Sequence, residues 1–216
     1  MIIEELTKMG YTATDPWDAV SIFEKELGKY TGARHVVALD SCSNSIFLCL
    51  KYLGITDQVI ELPARTYSSV PMQIIHSGNR VRFVDKKWWG DYQIGDTPIV
   101  DCATRLLYNM YRPYTYTCVS FHHRKILKLG RGGAILTDDD AFADWCRPMI
   151  YDGRHKYTQY DSDTLACIGY HMYMTPEDAL RALKLLLALP RHNDSTGSYK
   201  SYTDLREQKI FEPYCG

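Results

Sequence analysis

Short apolar segments alternate with amphipathic segments along most of this chain, and this alternation limits the possible folds more than any other feature. Strand-like segments occupy residues 35–39, 58–62, 80–84, 97–102, 116–121 and 134–137. Helical patterns cover residues 16–31, 45–53, 138–151 and 175–189, and a further helix ends near residue 76. Strands that alternate with helices form largely parallel sheets covered by helices. The sequence therefore predicts an α/β fold with three layers around a largely parallel sheet.

The amino-acid composition limits the cellular locations and the binding partners that are compatible with this chain. Hydrophobic residues make up 45% of the 216 positions, which is enough for a substantial core. The net charge is −1 and no basic run occurs, so we expect no nucleic-acid partner. No apolar run reaches the length of a membrane span, and the first residues lack the layout of a signal peptide. The seven cysteines show no C-x-x-C spacing, which argues against a zinc site, and most lie inside apolar runs, which favours a reducing cytoplasm.

The segment from Cys118 to Gly133 is the most informative about chemistry. An apolar strand delivers Ser120, and Lys125 follows five residues later. A glycine cluster and a second apolar strand come next. A lysine at the end of a buried strand loses its proton more readily than a surface lysine, and its neutral amine forms Schiff bases with carbonyl compounds. Most lysines that follow a strand are nevertheless solvated surface charges, and this segment alone leaves both interpretations open.

Other polar residues fall where strands end, which is the edge at which α/β sheets bind ligands. Ser41, Cys42 and Ser43 follow the first strand and open a helix, whose N-terminus suits a phosphate; a simple serine cap is the alternative. Tyr67 follows the second strand and either stacks on a ligand or packs in the core. Asp101 ends a buried strand and needs a partner, such as a protonated ring nitrogen or a local donor.

Four stretches in this order resemble the DegT/DnrJ-type sugar aminotransferases, which are pyridoxal-phosphate (PLP) enzymes of the aspartate-aminotransferase fold. They are residues 23–43, residues 62–85, residues 100–104 and residues 120–153, with a weaker match at 169–174. The resemblance implies a PLP-transferase large domain in trimmed form, a homodimer, and glutamate as the donor of an amino group to a keto sugar carried on a nucleotide.

The resemblance also implies roles for individual residues. Lys125 would form the Schiff base with PLP and shuttle protons as general acid and base. Asp101 would hold the protonated pyridine nitrogen, and Tyr67 would stack on the ring. The phosphate would be held by Cys42, Ser43 and Ser120. Thr104 falls where the family has Gln or His near the cofactor, and His171 falls where it has an asparagine that reaches the neighbouring subunit's cofactor.

The sequence departs from the family pattern at His171 and Tyr173, which replace the usual Asn and Arg, and also in length. Only sixteen positions separate Asp85 from Asp101, so a strand and helices of the usual large domain are absent. The chain also ends soon after the helix at Leu189, which predicts one compact domain at 1–190, a tail at 191–216 and no separate small domain. We therefore expect PLP binding, but weak or absent amino transfer by the isolated chain.

Two other functions remain possible at this stage. The first is a truncated, non-catalytic remnant that binds PLP or a nucleotide sugar; the missing segments favour it, whereas the set of Lys125, Asp101 and Tyr67 opposes it. The second is a PLP-dependent dehydratase or lyase. The sugar dehydratases of the family replace the lysine with histidine, so Lys125 argues against that variant.

Overall fold

The computed structural model describes all 216 residues and confirms the predicted α/β class. Seven strands form: β1 (His35–Leu39), β2 (Val59–Pro63), β3 (Arg80–Val84), β4 (Tyr92–Gln93), β5 (Ile99–Asp101), β6 (Tyr116–Ser120) and β7 (Gly133–Thr137). The six α-helices are α1 (Ile2–Lys8), α2 (Asp18–Thr31), α3 (Cys42–Tyr52), α4 (Ser69–His76), α5 (Asp140–Met149) and α6 (Pro176–Leu187). None of these helices is long and apolar enough to cross a membrane.

The main sheet has the strand order β1-β7-β6-β5-β4 and is mixed, whereas the sequence predicted a largely parallel sheet. β5 and β6 pair in parallel, whereas β7 runs antiparallel to both of its neighbours, β1 and β6. Strands β1, β5 and β6 therefore point the same way, and their carboxyl ends share one edge. β2 and β3 form a separate parallel pair. The segment after β4 lies beside that pair, because the Gly95 N–H donates to Glu61 O of β2 at 3.0 Å.

Two apolar clusters cover the two faces of the main sheet and give the predicted three layers. Alternate residues of a strand point to opposite faces, so Val37 and Ile135 join one cluster while Ala38 and Leu136 join the other. The first cluster contains residues of α3, α4 and α5. The second contains residues of α1, α2 and α6, and α2 packs directly on α6. The sheet is thus buried on both faces, and ligand access is left to its edges.

Two helix starts differ from the sequence prediction for local reasons. α2 begins at Asp18 and not at Pro16, because the Asp18 carboxylate accepts the N–H groups of Thr14 at 2.7 Å and Asp15 at 3.0 Å, which fixes residues 14–17 as a turn. α3 begins earlier than predicted, at Cys42. Its N-cap is Ser41, whose hydroxyl accepts the Asn44 N–H at 3.2 Å. The early start places a helix N-terminus directly after β1.

The segment 191–216 packs against the rest of the molecule in three short 3₁₀ helices, at Tyr199–Ser201, Leu205–Glu207 and Lys209–Tyr214. Leu205 and Phe211 are buried in this contact. The Leu205 N–H donates to Ala64 O at 2.8 Å, and the Gly90 N–H donates to Gly197 O at 3.2 Å. The tail is therefore part of the folded unit, and its first half lies at the edge where β1, β5 and β6 end.

Candidate active site

The carboxyl ends of β1, β5 and β6 open into a cavity of about 450 Å³, within the range typical of small-molecule sites. Six of the eight predicted site residues line it: Cys42, Ser43, Tyr67, Asp101, Ser120 and Lys125. They come from four separate parts of the chain. The fold therefore brings together the polar residues that follow these strands.

Lys125 lies in the loop after β6 and is half-buried. Its backbone N–H donates to His122 O at 2.8 Å, which fixes the loop beneath it. Burial lowers the pKa of the Lys125 ammonium, and the negative charge of Asp101 opposes part of that effect. The amine therefore becomes neutral, and hence nucleophilic, at a lower pH than an exposed lysine.

Asp101 closes the inner end of the cavity and is only 6% exposed. One carboxylate oxygen accepts the Tyr92 hydroxyl at 2.8 Å, and the other accepts the Ala103 N–H at 2.9 Å. Burial raises the pKa of this carboxyl, while these two donors and the Lys125 charge lower it in part. A carboxylate oxygen accepts more than one hydrogen bond, so Asp101 retains capacity for a cationic donor.

The N-terminus of α3 forms a polar cradle beside Lys125. Ser43 Oγ lies 2.6 Å from Ser69 Oγ, and Cys42, Ser43 and Ser120 all face the cavity. Backbone N–H groups at a helix N-terminus favour an anion such as a phosphate. Gly133 allows this close approach, since a Cβ there would lie 2.5 Å from the Ser41 carbonyl carbon and 2.9 Å from Val119 O.

We expect Gly133→Ala to destabilise the protein by about 3 kcal/mol or more, because backbone atoms on two sides would have to move. Urea unfolding measures the change. Gly10→Ala is the matched control: Gly10 has φ +86° and a Cβ added there would meet no atom within 4 Å, so only backbone strain of about 1–2 kcal/mol applies. Equal decreases in the free energy of unfolding of the two variants would contradict the close approach of backbone segments at Gly133.

Tyr67 forms an aromatic wall of the cavity and is 58% exposed. Its ring lies edge-on to the ring of Tyr202, with centroids 6.3 Å apart. The exposed face of Tyr67 is free to receive a flat ring. The predicted alternative, core packing, does not apply to a side chain this exposed.

Thr104 and His171 lie outside this cavity. Thr104 is 2% exposed, and its hydroxyl donates to Gly90 O at 2.8 Å and approaches Gly197 O at 3.2 Å, so it holds the tail against the 88–90 segment. His171 is on the surface, where its Nδ1 lies 2.8 Å from a carboxylate oxygen of Asp152. It borders a separate, smaller cavity together with Arg131 and Tyr173.

Several lining residues were missed by sequence reasoning. They are Ser69, His122, Arg124, Arg131, Thr196, Ser201 and Tyr202. His122 and Arg124 lie within the Lys125 segment, so proximity in sequence was an available signal. Arg131 is paired with Asp40 at 2.7 Å, whereas Arg124 forms no ion pair. Arg124 and Arg131 give the cavity mouth a cationic character that suits an anionic ligand, whereas burial and the neighbouring cations lower the pKa of the His122 imidazole.

A family model matches residues 3–91 and 113–203 of this chain, and it describes the DegT/DnrJ/EryC1/StrS aminotransferase family. This chain belongs to that family. Three of the four motifs fall within the matched residues, and the family membership inferred from the sequence is thus confirmed. The unmatched interval, 92–112, holds the second part of the shortened connection together with Asp101 and Thr104, so the match does not test the roles inferred for these two residues.

Curated relatives and a solved structure agree with this membership. The spore coat polysaccharide biosynthesis protein SpsC of Bacillus subtilis is 27% identical, covering 92% of this chain and 64% of the relative. The UDP-4-amino-4,6-dideoxy-N-acetyl-beta-L-altrosamine transaminase of Campylobacter jejuni is 20% identical, over 90% of this chain and 63% of the relative. The structure of NtdA from Bacillus subtilis with bound cofactor PMP has a TM-score of 0.63 at 21% identity, covering 86% of this chain and 52% of that one.

This chain spans somewhat less than two thirds of the length of both curated relatives. The alignment with SpsC runs over 254 positions, more than the 216 residues present here, so SpsC contains internal residues that this chain lacks. The likeness to NtdA shows that the fold is shared. PLP is the cofactor of the family, and the buried carboxylate, the recessed lysine and the helix N-terminus all fit a phosphorylated pyridine aldehyde.

Proposed function

We propose that this chain is a PLP-dependent aminotransferase that moves an amino group, with glutamate as the donor, to a keto sugar carried on a nucleotide. The observation that carries the proposal is the placement of Lys125 and Asp101 in one cavity, with a helix N-terminus beside them. An aldehyde cofactor of this kind needs a recessed amine, a carboxylate that keeps its ring nitrogen protonated and an anion site for its phosphate. This cavity offers all three.

Each residue has a distinct task in this proposal. Lys125 would supply the amine that holds PLP covalently, and its free amine would carry a proton as general acid and base. Asp101 would accept a hydrogen bond from the protonated pyridine nitrogen. The N-terminus of α3 with Cys42, Ser43 and Ser120 holds the phosphate. PLP, when bound, supplies the electron sink for the carbon–hydrogen bond that breaks.

The cationic cavity mouth supports a nucleotide-linked substrate. The guanidinium groups of Arg124 and Arg131 line the mouth, and only that of Arg131 is paired with a carboxylate, Asp40. A diphosphate carries strong acceptor oxygens that match guanidinium groups. The names of the two curated relatives, a polysaccharide biosynthesis protein and an amino-sugar transaminase, support the same substrate class. Thr104 acts in this proposal as an anchor for the tail and not as a cofactor ligand.

The proposal is tested by a single-turnover half-reaction. The protein is loaded with PLP, glutamate is added in excess, and conversion to pyridoxamine phosphate is followed by absorbance. We expect measurable but slow conversion, because the tail covers part of the cavity while Tyr67 remains 58% exposed to water. Conversion should not occur when glutamate is omitted.

Two results would overturn the proposal in different ways. If PLP binds but none of the common amino acids converts it, the chain is a binding remnant. If an amino acid loses its substituent without forming pyridoxamine phosphate, the chain is a dehydratase or lyase. The cytoplasmic location inferred from the cysteines remains a prediction.

We also infer that the active unit is a homodimer. Apolar side chains lie exposed in the segment 157–168, where Tyr160 is 80%, Leu165 61% and Ile168 95% exposed. Exposed apolar patches of this kind usually mark contacts between proteins. His171, which falls where the family has an asparagine that reaches the partner's cofactor, follows directly after this segment.

Sedimentation at low micromolar concentration should therefore show a dimer. Ile168→Asp should raise the dissociation constant of that dimer at least about tenfold, since a charge would be buried in the contact. Ile210→Asp is the matched control, because Ile210 is also exposed but lies in the tail. A wild-type protein that sediments as a monomer while binding PLP would contradict the dimer.

A further inference from the structure

Tyr202 is the one side chain that forms a hydrogen bond with Lys125. The Lys125 Nζ lies 3.4 Å from the Tyr202 hydroxyl, although the two residues are 77 positions apart. Tyr202 belongs to the tail, and sequence reasoning assigned no role to it. Its position beside the reactive amine therefore requires an explanation.

The backbone on both sides of Tyr202 is fixed to the body of the molecule. Arg65 donates to Tyr202 O at 3.1 Å, and the Leu205 N–H donates to Ala64 O at 2.8 Å. On the other side, Thr104 Oγ1 and the Gly90 N–H both approach Gly197 O at 3.2 Å. The tail thus approaches the cavity along a defined path.

The ring of Tyr202 is also held in place. It is half-buried between Tyr67 and Trp88, with ring centroids at 6.3 and 5.7 Å. Trp88 is itself fixed, because its indole N–H donates to Arg65 O at 2.9 Å. A tyrosine ring has few rotatable bonds, so this packing determines where its hydroxyl points. The hydroxyl points at the Lys125 amine.

We propose that Tyr202 is a positioning residue for Lys125, holding the amine by a hydrogen bond from the tail and closing the cavity over it. The proposal rests on the proposed function, since it concerns the amine that would react with PLP. Burial and the neighbouring Asp101 raise the pKa of Tyr202 to about 12. The phenol therefore keeps its proton while Lys125 titrates, and it accepts from the ammonium or donates to the neutral amine.

The hydrogen bond to Tyr202 stabilises the ammonium and the neutral amine of Lys125 to different extents. A hydrogen bond from a charged donor is roughly twice as strong as a neutral one, so the phenol favours the ammonium. Removing the hydroxyl should therefore lower the pKa of Lys125. The other groups that face this amine or share its wall remain unchanged in such a variant: Asp101, Cys42, His122, Arg124 and Arg131.

The test is the pH dependence of Lys125 labelling in the protein without PLP. A small acylating reagent modifies neutral amines, and mass spectrometry quantifies the peptide that contains Lys125. In Tyr202→Phe, the labelling rate near pH 7, relative to its plateau at high pH, should rise about threefold, because more of the amine is neutral. Phenylalanine preserves the ring packing, so the fold is retained.

Tyr199→Phe serves as the matched control, since Tyr199 is another tail residue whose hydroxyl forms no hydrogen bond; its profile should match the wild type. If Tyr202→Phe also matches the wild type, Tyr202 is only a wall of the cavity and the proposal fails. The measurement uses no cofactor, so it tests the role of Tyr202 separately from the proposed function. If the wild type never reacts with PLP but the labelling profile of Tyr202→Phe is shifted, the proposed function is refuted and the role of Tyr202 in positioning Lys125 is supported.

Discussion

Replacing Lys125 with alanine should abolish the covalent attachment of PLP and reduce turnover by at least about 10³-fold, because the same amine serves as Schiff-base partner and as proton carrier. The cofactor should still bind, held by the N-terminus of α3 and by Asp101. The Schiff-base absorbance of the loaded wild type, which borohydride removes, should be missing from the variant, whose spectrum should match that of free PLP.

Lys128→Ala is the matched control for this experiment. Lys128 lies three residues further along the same loop and is exposed. Its loss should leave the Schiff-base absorbance unchanged. An unchanged spectrum in Lys125→Ala would show that another amine holds the cofactor and would remove the basis of the site assignment.

Asp101→Asn should retain part of the PLP binding but lose turnover by about two orders of magnitude or more, since an amide does not keep the pyridine nitrogen protonated.

The same substitution should not reduce the free energy of unfolding of the protein without PLP. The folded-state pKa of Asp101 is raised by burial. Stability therefore falls as the pH rises from the usual carboxyl range through that raised value.

Asparagine does not titrate. At a pH above the raised pKa of Asp101, the variant without PLP should therefore be at least as stable as the wild type in thermal unfolding. Asp91→Asn provides the contrast. Asp91 pairs with Arg105 at 2.5 Å and Arg112 at 3.0 Å outside the cavity, so its loss should cost stability and spare turnover. Near-normal turnover in Asp101→Asn would show that the ring is activated in some other way.

Sequence reasoning selected residues that line one cavity because they lie where strands end, and their roles there stay predictions. Cys42, Asp101 and Lys125 each come just after a buried apolar segment, and the sheet brings those points to one edge. The antiparallel direction of β7 was not predicted, since Gly133–Thr137 is buried throughout and its apolar pattern carries no information on direction. Helix α1 was missed because it is only seven residues long and buries Leu6 alone.

The parts that sequence reasoning missed depend on contacts between distant segments. Tyr92 reaches Asp101 only because the shortened connection folds back as β4, which pairs antiparallel with β5. Tyr202 reaches Lys125 only because the tail is anchored at Ala64, Arg65 and Thr104. Neither contact has a local sequence pattern. The resemblance placed Thr104 near the cofactor, but in this chain its hydroxyl bonds to Gly90 and Gly197 instead.

Peptide mapping of the PLP-loaded wild type after borohydride reduction tests the central claim most directly. Reduction converts a Schiff base into a stable secondary amine, so the modified lysine is identified by mass spectrometry. The account predicts one phosphopyridoxyl group per chain, on the peptide that contains Lys125, with labelling complete at a pH where exposed lysines remain protonated. A label spread over exposed lysines such as Lys128, or absent from Lys125, would contradict it.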